Sequence, residues 1–73
     1  MSSPVRKRSL TVAGHRTSIS LEDPFWSALR DVARDNRQSV ATLVAEIDKA
    51  RGQTGLSSAI RSFLLEHYRE KSR

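Results

Sequence analysis

The sequence contains no cysteine, which excludes disulfide bonds and thiolate metal sites. Its two histidines, His15 and His67, lie far apart and do not form a pair of metal ligands. No apolar run approaches the ~20 residues that span a bilayer, and no apolar signal-peptide core follows the basic N-terminus. We therefore expect no metal, no cofactor, no membrane association and a cytoplasmic location.

Catalytic patterns are also missing. The sequence has no glycine-rich phosphate loop, nucleophile elbow or metal-ligand spacing. Its 73 residues make one domain, which is too small to enclose a typical substrate pocket. We expect a protein that is not an enzyme. A domain of this size also buries little apolar surface, so association with a second copy is the remaining source of stability.

The net charge of +5 is concentrated at the N-terminus. Residues 1–20 contain Arg6, Lys7, Arg8 and Arg16 and no acidic residue, whereas residues 21–52 are nearly neutral. This distribution favours a basic segment that faces a polyanion. A solvated tail that only aids solubility is the alternative. We interpret residues 1–7, which include Pro4, as a flexible basic arm.

Residues 8–21 have the composition of a single β-strand. Thr17, Ile19 and Leu21 alternate with Arg16, Ser18 and Ser20, which is typical of a half-buried strand. Leu10 and Val12 have even residue numbers, whereas Ile19 and Leu21 have odd ones, so a continuous regular strand would place the two pairs on opposite faces. A change of register at 13–14 would restore one apolar face, and Gly14 permits either a bulge or a tight turn there.

Three helices follow the strand. Asp23 as N-cap and Pro24 predict the start of the first helix, which ends near Asn36. Ser39 is the predicted N-cap of a second helix that ends at Gly52, and Ser57 or Ser58 caps the third. Their apolar stripes are Phe25, Leu29, Val32 and Ala33; Val40, Leu43, Val44 and Ile47; and Ile60, Phe63, Leu64 and His67. We place the core at 8–52, and a linker with the C-terminal helix at 53–73.

An isolated strand has unpaired backbone donors and acceptors. The simplest partner is the same strand of a second copy, antiparallel across a two-fold axis. Ile19 and Leu21 would then pack on the helices, and the opposite face would point outward. We predict that Arg16, Ser18 and Ser20 on that face contact DNA bases in the major groove. A solvated ribbon or a local hairpin across 13–14 is the alternative.

Several segments resemble the ribbon-helix-helix family of small bacterial DNA-binding regulators. The matching segments are RSL (8–10), GHRTSISLE (14–22), FW (25–26), LVAEID (43–48) and LSSAIR (56–61). They are similar to the branch with an additional C-terminal helix. The resemblance implies a mainly α fold with one β-strand. It also implies an intertwined homodimer with an intermolecular antiparallel β-ribbon that faces DNA, and phosphate contacts at the start of the second helix.

The residues assigned to the DNA backbone lie in two segments. They are Arg6, Lys7, Arg8 and His15, and then Gln38, Ser39 and Val40, where free helix amides can hold a phosphate. Ser39 acting only as a cap, and His15 as a structural residue, are the alternatives. Ser18 and Ser20 have short side chains that discriminate bases weakly. Arg16, His15 and the arm must therefore contribute more to DNA binding.

The predicted dimer core consists of apolar residues of the strand and the first two helices. They are Ile19, Leu21, Phe25, Trp26, Leu29, Val32, Leu43, Val44 and Ile47. Trp26 is interpreted as core rather than as a nucleotide-stacking platform, and His67 as a packing residue. Asp48 pairs either with Arg51 on its own helix or with Arg61 on the next.

Together these patterns predict a bacterial DNA-binding protein that acts as a transcriptional regulator or nucleoid-associated protein. Its partners would be double-stranded DNA and a second copy, with higher oligomers left open. The alternative is a protein-interaction module, antitoxin-like or an oligomerising adaptor, whose C-terminal helix binds a protein partner.

Overall fold

The computed structural model describes residues 4–72. Two strands, β1 (Val5–Val12) and β2 (His15–Glu22), are followed by three helices, α1 (Asp23–Asp35), α2 (Val40–Ala50) and α3 (Leu56–Lys71). Within residues 4–72 no helix is long and apolar enough to cross a membrane.

The two strands form an antiparallel hairpin within one chain. Ala13 and Gly14 connect them, with φ angles of +51° and +83°, the two positive values that a type I′ hairpin turn requires. The prediction of a single strand was therefore wrong, and the tight turn left open at 13–14 is present. Pairing of the ribbon with a second copy stays a prediction. The turn reverses the chain and brings Val12 and the partly buried Leu10 into the same core as Ile19 and Leu21.

The N-terminal arm is shorter than the sequence indicated. Val5, Arg6 and Lys7 belong to β1, so the expectation of a flexible arm fails for these residues. They pair with Glu22, Leu21 and Ser20 of β2. Residues 1–3 of the predicted arm lie outside the described residues.

The helix boundaries agree with the sequence at some caps and not at others. Ser39 caps α2 as predicted, because its Oγ accepts a hydrogen bond from the Thr42 N–H at 3.0 Å. Asp23 is the first residue of α1 rather than its cap, and Glu22 occupies the cap position. Asn36 does end α1, but the left-handed residue is Arg37, with a φ of +57°.

The third helix begins two or three residues earlier than predicted. Gly55 is its N-cap, and Ser57 lies inside the first turn with its hydroxyl directed to β2. Ile60 and Leu64 are fully or almost fully buried, whereas Phe63 and His67 are half-buried. The helix packs on β2, α1 and α2 of its own chain.

A single core lies between the hairpin and the three helices. Its largest fully buried side chains are Ile19, Leu21, Leu29, Ile60, Leu64, Val32 and Val44. All the residues assigned to a dimer core are in this cluster or, for Phe25, packed against it. These residues are packed within one chain, where α3 contributes Ile60 and Leu64 to the same core, and their role in a dimer stays a prediction.

Candidate nucleic-acid interface

The hairpin has one face toward the core and one face toward solvent. Residues directly opposite each other in an antiparallel pair point to the same side. Ile19 and Leu21 are completely buried, so their neighbours of the other parity point outward. We call this outer surface the ribbon face; it consists of Lys7, Ser9, Thr11, Arg16, Ser18 and Ser20.

The ribbon face combines two cations with four hydroxyl groups, and the Val5–Glu22 pair continues the same outer surface at the end away from the turn. The carboxylate of Glu22 is paired with Arg61 of α3. Its cross-strand pairs are Lys7 with Ser20, Ser9 with Ser18, and Thr11 with Arg16. All of these residues are exposed except Ser20, which is half-buried. The predicted base-contact residues Arg16, Ser18 and Ser20 therefore do share one outward surface. The surface can donate hydrogen bonds along its whole length, and its hydroxyls can also accept them.

Arg6 and Arg8 lie on the opposite side of β1 from Lys7. The Nε atom of Arg6 is 2.8 Å from Oδ1 of Asp23, and the Arg8 guanidinium carbon lies 5.3 Å from the centre of the Trp26 ring. Both side chains are still exposed. Because strand geometry separates the three consecutive cations, only Lys7 of this group joins the ribbon face.

Trp26 is a core residue, as the sequence indicated. Only 3% of it is exposed, and its Nε1–H donates to the backbone oxygen of Arg6 at 3.0 Å. With Arg8 against the ring, no open aromatic surface remains for a nucleotide to stack on. Its role is to join α1 to β1.

The chain matches the family described as Ribbon-helix-helix domain over residues 5–68. It belongs to this family. Ribbon-helix-helix domains are generally non-enzymatic modules of DNA-binding regulators. No curated protein and no solved structure matches the chain.

The predicted phosphate site of this ribbon-helix-helix chain lies at the turn between α1 and α2. The Gln38 amide donates to a carboxylate oxygen of Glu46, Ser39 caps α2, and Val40 is half-buried in the first turn. The Ser39 hydroxyl also donates to Oγ1 of Thr42 at 2.9 Å. The capping role is thus observed, and a phosphate contact stays a prediction.

His15 lies at the start of β2, next to the turn, and is exposed. Its cross-strand partner is the buried Val12, so its parity is that of the core face. The structure therefore does not bring His15 onto the ribbon face with Arg16.

Glu22, at the end of β2, forms an ion pair with Arg61 of α3. The Nη2 and Nε atoms of Arg61 donate to Oε1 of Glu22 at 2.8 and 3.0 Å. These hydrogen bonds lower the pKa of Glu22 below its ordinary value. Arg61 therefore does not pair with Asp48, which bonds to Arg51 on its own helix instead.

Sequence reasoning missed Ser9 and Thr11 as members of the outer surface, and it assigned Lys7 to a mobile arm. The signal for all three was the opposite parity of Leu10 and Val12. A two-residue turn at 13–14 accounts for that parity and fixes the register, which places Ser9 opposite Ser18. The roles of Ser57 and Arg61 left no comparable signal, because they depend on where α3 packs.

Proposed function

We propose that this protein binds double-stranded DNA as a transcriptional regulator and inserts the ribbon face into the major groove. The observation that carries the proposal is an antiparallel ribbon whose outer surface holds cations and hydroxyls, while its one carboxylate, Glu22, is paired with Arg61. A B-DNA major groove about 12 Å wide admits a two-stranded ribbon, since neighbouring strands are about 4.8 Å apart. Membership of a family of DNA-binding regulators supports the same conclusion.

Arg16 is the proposed base-reading residue. Its planar guanidinium can donate two hydrogen bonds to O6 and N7 of one guanine, which a hydroxyl or an ammonium group cannot do in the same geometry. Ser18 and Ser20 have hydroxyls that can bond to several bases, so they contribute less discrimination. Lys7, opposite Ser20, adds a second cation at the other end of the surface.

The proposed backbone contacts flank the ribbon. Arg6 and Arg8, on the opposite face of β1, and His15, beside the turn, are exposed, and we assign them to phosphates beside the groove. The first amides of α2, with Gln38, Ser39 and Val40, would hold a further phosphate. These contacts position the protein on the duplex, and the ribbon face specifies the sequence.

We further propose that two copies act together on DNA. Ribbon-helix-helix proteins typically bind DNA as dimers, and the chain leaves Leu65 and Tyr68 of α3 59% and 39% exposed. This apolar surface is available to a second copy.

A salt titration tests the proposal. We expect fluorescence anisotropy to detect binding to a random-sequence DNA duplex, with log K falling by about 0.9 per phosphate contact for each unit of log salt. Duplex RNA of the same length is the control, because its deep and narrow major groove excludes side chains. Selection from a random duplex pool should then enrich one sequence. Equal affinity for DNA and RNA, or no binding at 50 mM salt, would contradict the proposal.

A further inference from the structure

Arg6, in β1, is held by the start of α1 through two contacts. Its Nε atom is 2.8 Å from Oδ1 of Asp23, and its backbone oxygen accepts a hydrogen bond from Nε1 of Trp26 at 3.0 Å. Trp26 is a buried residue of the core, so the backbone of Arg6 is fixed. Movement of the guanidinium away from Asp23 is therefore a rotation of the side chain and needs no change in β1.

The ion pair between Arg6 and Asp23 is open to solvent. The two side chains are 56% and 45% exposed. Exposed ion pairs contribute little to stability, because water screens both charges. Another anion can therefore reach the Arg6 guanidinium and replace the carboxylate. A DNA phosphate is such an anion, since its oxygens accept the same hydrogen bonds from arginine.

The charges around this ion pair show that Asp23 acts on one cation. The neighbouring carboxylate, Glu22, is occupied by Arg61 of α3. Arg8, which shares its side of β1 with Arg6, lies against the ring of Trp26 instead of a carboxylate. Within residues 4–72, Arg6 is thus the one cation of β1 that forms an ion pair. Its release would leave two uncompensated cations, Arg6 and Arg8, on this side of the strand.

We propose that Asp23 competes with DNA phosphate for Arg6, and so limits the part of the DNA affinity that does not depend on sequence. The inference rests on the proposed function, in which Arg6 is assigned to a phosphate beside the groove. Asp23 neutralises Arg6 in the free protein, and a phosphate has to displace it. Asp23 is therefore a positioning residue, because it acts through Arg6. Arg16 sets which sequence is bound, and Asp23 sets how strongly any duplex is held.

Asp23→Asn removes the charge and keeps the shape of the side chain. The variant should bind the selected duplex and a random duplex more tightly by the same factor, roughly two- to fivefold, which corresponds to the loss of one exposed ion pair. The fall of log K with log salt should steepen by up to about 0.9, the value for one phosphate contact. Fluorescence anisotropy measures both quantities. A gain confined to the selected duplex would overturn the inference.

Asp31→Asn is the matched control, because Asp31 lies on the same helix and forms an exposed ion pair with Arg34. The substitution makes the same change in net charge and should raise the affinity less than Asp23→Asn does. In the Arg6→Gln background, Asp23→Asn should bring no more gain than Asp31→Asn, since its effect passes through Arg6. Asp23→Glu should keep the wild-type affinity. An equal gain from Asp31→Asn, or the full gain without Arg6, would contradict the competition.

Heparin, a sulfated polyanion without bases, separates a failure of this inference from a failure of the proposed function. On a heparin column, Asp23→Asn should elute at higher salt than wild type and Asp31→Asn, and Arg6→Gln/Asp23→Asn should not. If circular dichroism shows Asp23→Asn unfolded, Asp23→Ser removes the same charge with a residue that helix starts also accept. A wild type that binds heparin and not duplex DNA would contradict the proposed function alone. Identical elution of wild type and the folded uncharged variant would overturn the competition for Arg6.

Discussion

Ala13 is the residue whose backbone conformation distinguishes a hairpin from a continuous strand. Its φ of +51° lies in the left-handed region, which costs an L-residue roughly 1–2 kcal/mol. Asparagine tolerates that region, and Asn-Gly is a preferred pair in type I′ turns. Valine is β-branched and favours extended backbone.

We predict opposite effects for two substitutions at this position. Ala13→Asn should raise the free energy of unfolding by up to about 1 kcal/mol, because the turn accepts asparagine with less strain. Ala13→Val should lower it, because a β-branched side chain is strained at positive φ. Urea denaturation at one protein concentration measures both. A continuous strand would give the reverse order.

The ion pair between Glu22 and Arg61 makes stability depend on pH. Because the pKa of Glu22 is lowered in the folded protein, its contribution is fully present above the ordinary pKa of 4.5 and is lost as pH falls through the lowered value. Arg61→Gln should remove this part of the acid sensitivity. Urea midpoints at pH 6 and at successively lower pH values, compared between the wild type and Arg61→Gln, measure it. Equal acid sensitivity in the two proteins would contradict the role of the pair.

Single residues were predictable where the cause is local. Ser39 could be identified as a cap because its bond to Thr42 depends only on neighbouring backbone. Asp23 was misassigned because Pro24 is tolerated at the first or second helical position, which leaves the cap uncertain by one residue. The partners of Arg6, Arg8 and Arg61 could not be predicted, because each is on another element.

At the scale of elements, the start of α2 offers a prediction that separates capping from phosphate binding. Ser39→Ala should destabilise the protein by about 1 kcal/mol, the usual cost of losing an N-cap. Ser39→Asp should keep the stability, since aspartate also caps, and should weaken DNA binding if a phosphate lies there. Urea denaturation and anisotropy titration of the two variants provide the measurements. Equal DNA affinity of Ser39→Asp and wild type would contradict a phosphate contact at this site.

The helices were easier to predict than the ribbon. Each helix has a stripe with helical spacing, and the buried residues Leu43, Val44 and Ile47 follow it in α2. The strand region allowed two interpretations because Gly14 permits both a bulge and a turn. Moreover, three cations in a row resemble a solvated arm, although β1 separates them onto two faces. The register of the hairpin follows from the turn at 13–14, and local composition alone does not distinguish that turn from a bulge.

At the scale of the whole molecule, the core of a single chain depends on α3. Ile60 is completely buried, so Ile60→Ala should cost about 2–5 kcal/mol, a large part of the ~5–15 kcal/mol typical of a domain. Leu65→Ala on the exposed side of the same helix should cost much less. Urea denaturation of both variants tests whether α3 is part of the fold. Similar small effects would indicate a helix that only docks a partner.

The ratio of specific to random DNA affinity tests most directly our proposal that the ribbon face reads DNA. The ratio is measured by anisotropy at one fixed salt concentration for wild type, Arg16→Ala and the exposed helix control Arg30→Ala. We predict that Arg16→Ala weakens the free energy of binding to the selected sequence by roughly 1–3 kcal/mol, because a bidentate guanine contact is lost. The ratio of specific to random affinity should therefore fall. Arg30→Ala should leave the ratio unchanged. An unchanged ratio in Arg16→Ala would contradict the claim and would assign sequence reading to another surface.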